Sequence, residues 1–109
     1  MLDNQIPLTA EEVINCFRNR WGVTYDIQLM VRNNYLYFQI MWGYLEQQSF
    51  PLNEEDFNVH INEILEIVNR TGQAEVVRVW MNKVGAKPRI GRALTLQLKG
   101  DERLEEFVL

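Results

Sequence analysis

The sequence of 109 residues has little of what extracellular and membrane proteins need. Its one cysteine, Cys16, has no second thiol to pair with, so we expect a reducing compartment, by default the cytoplasm. Its apolar runs are far shorter than the roughly 18 residues of a membrane span. Residues 1–7 lack a basic region followed by an apolar one, and no signal peptide is expected.

Acidic residues are absent from one long stretch of the chain. Residues 76–100 contain six basic residues and no acid, whereas the rest of the chain holds five basic and fifteen acidic residues. The net charge of −4 therefore hides a separation of charge along the sequence. We expect a local basic patch on a protein that is acidic as a whole.

Two helix starts have almost the same sequence pattern. Thr9 and Asn53 are capping residues, and each is followed three positions later by an acid. Apolar residues at helical spacing follow both caps and predict helices that run to about Arg20 and about Arg70. Gly22 is expected to end the first helix.

Alternating apolar and polar side chains predict four strands. They cover Tyr25–Arg32, residues 35–42, residues 75–83 and residues 94–99. Asn33-Asn34 separates the first two strands, and because asparagine tolerates positive φ we expect a two-residue hairpin turn there.

Helices and strands with these patterns predict an α+β fold. The economical arrangement packs two helices on one face of a four-stranded, mostly antiparallel sheet in the order α-β-β-α-β-β, and leaves the other face open. Asp101 is expected to cap a short C-terminal helix through Phe107. With 47% hydrophobic and 24% charged residues, we expect a single domain over residues 1–109.

Three segments stand out beside this pattern: Arg20-Trp-Gly22 before the Tyr25-Asp-Ile-Gln28 strand, the run of residues 41–51, and Pro88-Arg-Ile-Gly-Arg92 before the last strand. In these segments the chain resembles a family of small uncharacterised proteins, a domain of unknown function, from cyanobacteria and plant plastids. The resemblance implies a cyanobacterial or plastid origin, with the stroma as the location of a plastid homologue. It implies no activity, cofactor or catalytic residue.

Residue types that carry catalysis or bind metal are present without the partners they require. Cys16 lies among core positions of one helix and the single histidine, His60, falls in another, so we predict a buried, unreactive thiol. Asp56, His60 and Glu63 share a helix face, but no second histidine or cysteine completes a ligand set. We predict no metal and no cofactor, and we favour a protein that is not an enzyme.

The open face of the predicted sheet is the first candidate site. Alternation places Tyr35, Tyr37, Arg78 and Trp80 on it, and exposed aromatic rings beside arginine are typical of protein interfaces. The same side chains would suit stacking of single-stranded bases, but the acidic total and the lack of an RNA-binding signature favour a protein partner. Alternatively, the C-terminal helix or another subunit covers them, and the oligomeric state stays open.

The loop before the last strand is the second candidate site. Lys87, Arg89 and Arg92 lie there among glycines, and cationic side chains on such a loop bind phosphate or carboxylate groups. A solvated hairpin loop is the alternative interpretation. Together these features predict a non-catalytic protein-interaction or assembly factor with an unidentified protein partner. The alternative function is a module that binds an anionic ligand or single-stranded nucleic acid through residues 76–100.

Overall fold

Three helices and three strands make up the part of the chain that the structure, a computed structural model, describes, residues 6–98. They follow one another as α1 (Ala10–Trp21), β1 (Tyr25–Arg32), β2 (Tyr35–Tyr44), α2 (Glu54–Arg70), α3 (Ala74–Lys83) and β3 (Leu94–Gln97). The strands form one antiparallel sheet in the order β1-β2-β3, and the helices cover one of its faces. None of the described helices is long and apolar enough to cross a membrane.

Both predicted helix starts are confirmed. The Thr9 side chain accepts a hydrogen bond from the backbone N–H of Glu12 at 3.2 Å, and the Asn53 side chain accepts one from Asp56 at 2.8 Å. These bonds satisfy donors in the first turn that have no partner inside the helix. The predicted stop is confirmed as well, since α1 ends at Gly22, whose φ of 81° is left-handed.

The predicted hairpin is confirmed, including its turn. Asn33 and Asn34 have φ values of 55° and 67°, in the left-handed region that asparagine tolerates. Leu36, Phe38 and Ile40 of β2 are buried beneath the helices. Because side chains alternate along a strand, the residues between them point to the open face of the sheet.

The prediction of a four-stranded sheet beneath two helices is wrong, because residues 75–83 are helical. They form most of α3, so the described chain has three helices and a three-stranded sheet and is still an α+β protein. The last predicted strand does exist: β3 runs antiparallel to β2, with Leu96 opposite Phe38. The predicted C-terminal helix lies outside the described residues.

The sequence of α3 fits two periodicities, and burial decides between them. Ala74, Val77 and Met81 are buried, and their spacing of three and four residues makes them one face of a helix. Val76 and Val79, which a strand would place on opposite faces, both stay exposed, at 43% and 42%. Valine favours strands, but its cost in a helix is only a few tenths of a kcal/mol, and burying three side chains outweighs it.

Phe38 lies at the centre of the core. It has no exposed surface, it is opposite Leu29 on β1 and Leu96 on β3, and its ring is perpendicular to that of Trp80 at a centroid distance of 6.1 Å. Phe38 therefore has neighbours on both flanking strands, β1 and β3, and on α3.

We expect Phe38→Ala to lower the free energy of unfolding by about 3–5 kcal/mol, because it leaves a cavity in a closely packed core. The matched control is Tyr35→Ala on the same strand, which removes a ring that is 45% exposed and should cost no more than about 1 kcal/mol. Chemical denaturation measures both values. Equal losses would contradict the central position of Phe38.

Candidate binding surfaces

The four residues predicted for partner binding lie on two different sides of the sheet. Tyr35 and Tyr37 point to the open face, where Tyr35 is exposed and Tyr37 is half-buried. Arg78 and Trp80 belong to α3, on the face that the helices cover. Their grouping with the tyrosines depended on the strand that proved to be a helix.

The open face is polar at its centre. Gln28 donates a side-chain hydrogen bond to Gln39 at 3.1 Å, and Gln39 donates one to Thr95 at 3.1 Å. This ladder crosses all three strands and separates Tyr37 from the opposite end of β2. Tyr35 and Tyr37 therefore lie together on one side of the ladder, which separates them from Met41 at the other end of this face.

Arg78 is held in an ion pair inside the fold. Its guanidinium donates two hydrogen bonds to the carboxylate of Glu12, at 2.6 and 3.0 Å, and one to Glu75 at 2.7 Å. The hydrogen bond with Glu12 holds the pKa of Arg78 above its ordinary value. The pair ties α3 to the start of α1, so the positive charge of Arg78 is already compensated within the protein.

Trp80 borders an apolar groove between α3 and β3, which we call the α3–β3 groove. Its volume is about 520 Å³, and Val76, Val79 and Leu96 line it together with Trp80. The lining surface is apolar, although Glu75 and Lys83 border the groove. On the described part of the chain, β3 is an edge strand of the sheet, so the groove lies beside an unpaired strand edge.

The three cations predicted to bind anions lie on the loop between α3 and β3, which we call the basic loop (residues 84–93). The backbone N–H groups of Arg89 and Arg92 each donate to the carbonyl oxygen of the other, at 3.1 and 2.8 Å, and Gly91 has a φ of 73°. Pro88 is buried. Lys87, Arg89 and Arg92 are exposed, and within the described chain none of them forms an ion pair.

Aromatic rings form a wall beside the basic loop. The wall consists of Trp21, Tyr25, Tyr44 and Trp42. In this order the rings pack edge to face, with centroid distances of 5.7, 5.9 and 6.2 Å. The wall, Lys87 and Arg89 border a cleft of about 390 Å³, which we call the aromatic–basic cleft. The described residues that line it include no acid.

Trp42 also borders a second cleft, of about 460 Å³. Gln39 and Met41, which belong to the open face of β2, line this cleft together with Arg89 and Arg92. Arg89 therefore lies beside both clefts, and the basic loop connects the aromatic wall to the open face.

Arg20 holds the start of the basic loop against α1. Its guanidinium donates hydrogen bonds to the carbonyl oxygens of Met81 at 2.9 Å and Val84 at 2.7 Å. The same guanidinium lies 4.8 Å from the centroid of the Trp21 ring. One side chain thus links the last turn of α1 to the end of α3 and to the aromatic wall.

The aromatic wall was not predicted from the sequence as part of a site. The available signal was the family resemblance, because its three segments contribute Trp21, Trp42 with Tyr44, and Pro88 with Arg89 to the same cleft. Those segments are far apart in the sequence, and nothing in their local patterns predicts that they meet.

Cys16 and His60, which were weighed for catalysis and metal binding, both have partners in the fold. The Cys16 thiol is buried, lies 3.6 Å from the carbonyl oxygen of Met81, and has a pKa that burial raises. Nε2 of His60 lies 3.0 Å from a carboxylate oxygen of Asp26 and 3.0 Å from the carbonyl oxygen of Ile27. Among residues 6–98 no three histidine, cysteine or acidic side chains are grouped to hold a metal ion.

Replacing Arg78 with glutamine should lower the free energy of unfolding by about 1–2 kcal/mol, since it removes charged hydrogen bonds that join α3 to α1. Glu12 is partly open to water, which keeps the cost below that of a fully buried pair. Arg32→Gln is the control, because Arg32 is exposed and has no ion pair among the described residues. Thermal and urea unfolding of both variants test this prediction. An unchanged free energy of unfolding in Arg78→Gln would contradict the structural role of Arg78.

Comparison with known proteins places the chain in a family. A family model described as a domain of unknown function (DUF3067) matches residues 11–108. The chain is also similar to the solution NMR structure of the Alr2454 protein from Nostoc sp. strain PCC 7120, at 30% sequence identity and a TM-score of 0.82. That match covers 94% of this chain and 98% of the other, whereas no curated protein matches. The resemblance to an uncharacterised family with a cyanobacterial member is confirmed: the chain belongs to the DUF3067 family.

Proposed function

We propose that this chain is a non-catalytic protein-binding module whose partner docks in the α3–β3 groove. The observation that carries the proposal is an apolar groove that residues 6–98 leave open beside an edge strand. The cytoplasm of a cyanobacterium, or the stroma of a plastid, is the proposed location, since the single thiol forms no internal disulfide.

The groove has the composition of an interface centre. Val76 and Val79 are more than two-fifths exposed, and Trp80 and Leu96 line the groove with them. Exposed apolar side chains gathered in one concave patch, with a tryptophan among them, favour association with a partner. An amphipathic segment of the partner would fill the groove with its apolar side chains, either as a helix or as a strand added to β3.

The other residues predicted for partner binding have different places in this proposal. Trp80 contacts the partner directly. Arg78 acts by holding α3 in position through Glu12, and it does not touch the partner. Tyr35 and Tyr37 remain proposed contact residues on the open face, and a partner would reach them only by extending around the sheet.

We expect Val79→Asp to abolish capture of protein partners from a cyanobacterial lysate, because it places a charge in the groove that the partner would have to desolvate. Val59→Asp is the matched control: Val59 is also a helical valine, 53% exposed, but on α2 and away from the groove. Quantitative mass spectrometry of captured proteins gives the comparison. Loss of the same proteins in both variants, or in neither, would contradict the groove as the docking surface.

The free chain offers a second test of the same surface. The indole N–H of Trp80 should be accessible to a soluble paramagnetic probe in NMR experiments on the full-length chain. The competing interpretation is coverage by the chain's own residues Leu104, Phe107 and Val108. Complete protection of Trp80 in a monomer, lost when these three residues are replaced with serine, would support coverage and contradict an open interface.

A second candidate function is binding of an anionic ligand or single-stranded nucleic acid through the basic loop. It is favoured by Lys87, Arg89 and Arg92, three exposed cations without an ion pair in the described chain, on a loop that borders partly exposed aromatic rings. Binding by exposed cations should weaken with salt, which screens charge over about 8 Å at physiological ionic strength.

A further inference from the structure

The aromatic–basic cleft is large enough to hold a small molecule. Its volume of about 390 Å³ falls within the range of roughly 300–1,000 Å³ that small ligands occupy in proteins. Its lining residues come from α1, β1 and β2 and from the basic loop, which is far from these elements in the sequence. The cleft therefore exists only in the folded chain.

The charges at the cleft are of one sign. Lys87 and Arg89 border it, and no acid is found among the described residues of its lining. An arginine beside a concave surface can hold two oxygens of one phosphate or carboxylate through paired N–H donors, and lysine adds a compact positive charge. The ligand that fits these groups is an anion.

The opposite wall is aromatic. Tyr25 is buried, whereas Trp21, Trp42 and Tyr44 are each partly exposed. Edge-to-face contacts fix these rings relative to one another, and Trp42 borders both clefts. A planar ring of a ligand would stack on such a surface, as bases stack on aromatic side chains.

Several contacts hold this arrangement before any ligand binds. Arg20 bonds to the carbonyl oxygen of Val84 at the start of the basic loop, Pro88 is buried, and Arg89 and Arg92 share two backbone hydrogen bonds. A loop that is already ordered loses less conformational freedom on binding, so more of the contact energy contributes to affinity.

We propose that the aromatic–basic cleft binds a small anionic ligand with a planar ring, in the simplest case a mononucleotide. The ring stacks against Trp42, and the phosphate contacts Lys87 and Arg89. The proposal rests on the second candidate function, anion binding by the basic loop, and adds that the ligand carries a planar ring that stacks against Trp42. A small ligand is favoured over a nucleic acid because glutamines and a threonine, and not a row of cations, separate the basic loop from Arg32 at the far end of the open face.

NMR titration of the full-length chain with adenosine monophosphate tests the proposal, with inorganic phosphate and adenosine as parallel probes. The expected result is a shift of the Trp42 indole N–H and of the amides of the basic loop, while the Trp80 indole stays unchanged. The nucleotide should bind at least about tenfold more tightly than either inorganic phosphate or adenosine, because only the nucleotide supplies both contacts.

The double variant Lys87→Gln and Arg89→Gln should weaken nucleotide binding by about tenfold or more. Because both side chains are exposed, the variant should keep the amide spectrum of a folded protein. The matched control is Lys83→Gln with Arg32→Gln, which removes two cations that do not line the cleft. Equal weakening by both double variants would show a general charge effect and overturn the site.

Three further outcomes would overturn the proposal in distinguishable ways. If inorganic phosphate binds as tightly as the nucleotide, the ring contact is contradicted, whereas anion binding by the basic loop is supported. If neither the nucleotide nor phosphate causes a shift at millimolar concentration, both the ring contact and anion binding by the basic loop are contradicted. A single-stranded RNA of about ten nucleotides is the third probe. If it binds more than tenfold tighter than the mononucleotide and the shifts extend to Tyr35 and Tyr37, the ligand is a nucleic acid and not a small molecule.

Discussion

Burial of alternate side chains of β2 beneath the helices is the constraint on which the rest of the structure depends. Leu36, Phe38 and Ile40 are at most 2% exposed, and a register slip of one residue would exchange them with the outward set. Because Phe38 is opposite Leu96 on β3 and packs against Trp80 on α3, the same burial positions both walls of the α3–β3 groove. The core and the proposed docking surface therefore share one packing arrangement.

The parts of the fold that were predictable depend on interactions within a few residues. The caps at Thr9 and Asn53 act over three positions, and the Asn33-Asn34 turn acts over two, so the local sequence is sufficient to identify them. α3 was not predictable in this way. Its valines suit a strand, and the choice of a helix depends on burying Val77 and Met81 against elements elsewhere in the chain. Long-range packing overrides local propensity there.

The same distinction between local sequence signals and long-range packing applies to the candidate sites. The cations of the basic loop were recognisable because a stretch without acids is visible in the sequence itself. The aromatic wall was not, because Trp21 ends a helix, Trp42 lies on a strand, and they border one cleft only after the chain folds. The bond from Arg20 to Val84 is one of the contacts that bring the basic loop to α1, and no periodicity in the sequence predicts it.

The basic patch of the folded protein is smaller than the sequence implies. Residues 76–100 hold six cations, but Arg78 is neutralised by Glu12 and Glu75, and Lys83 borders the apolar groove instead of the clefts. Lys99 lies outside the described residues, so three cations remain on the basic loop. Three charges beside stacking rings suit a ligand with one or two phosphates, whereas a long polyanion gains affinity by releasing counterions along an extended row of contacts. The groove, in contrast, would bind through buried apolar area, which salt weakens little. Raising the ionic strength should therefore separate the two proposed functions on one chain.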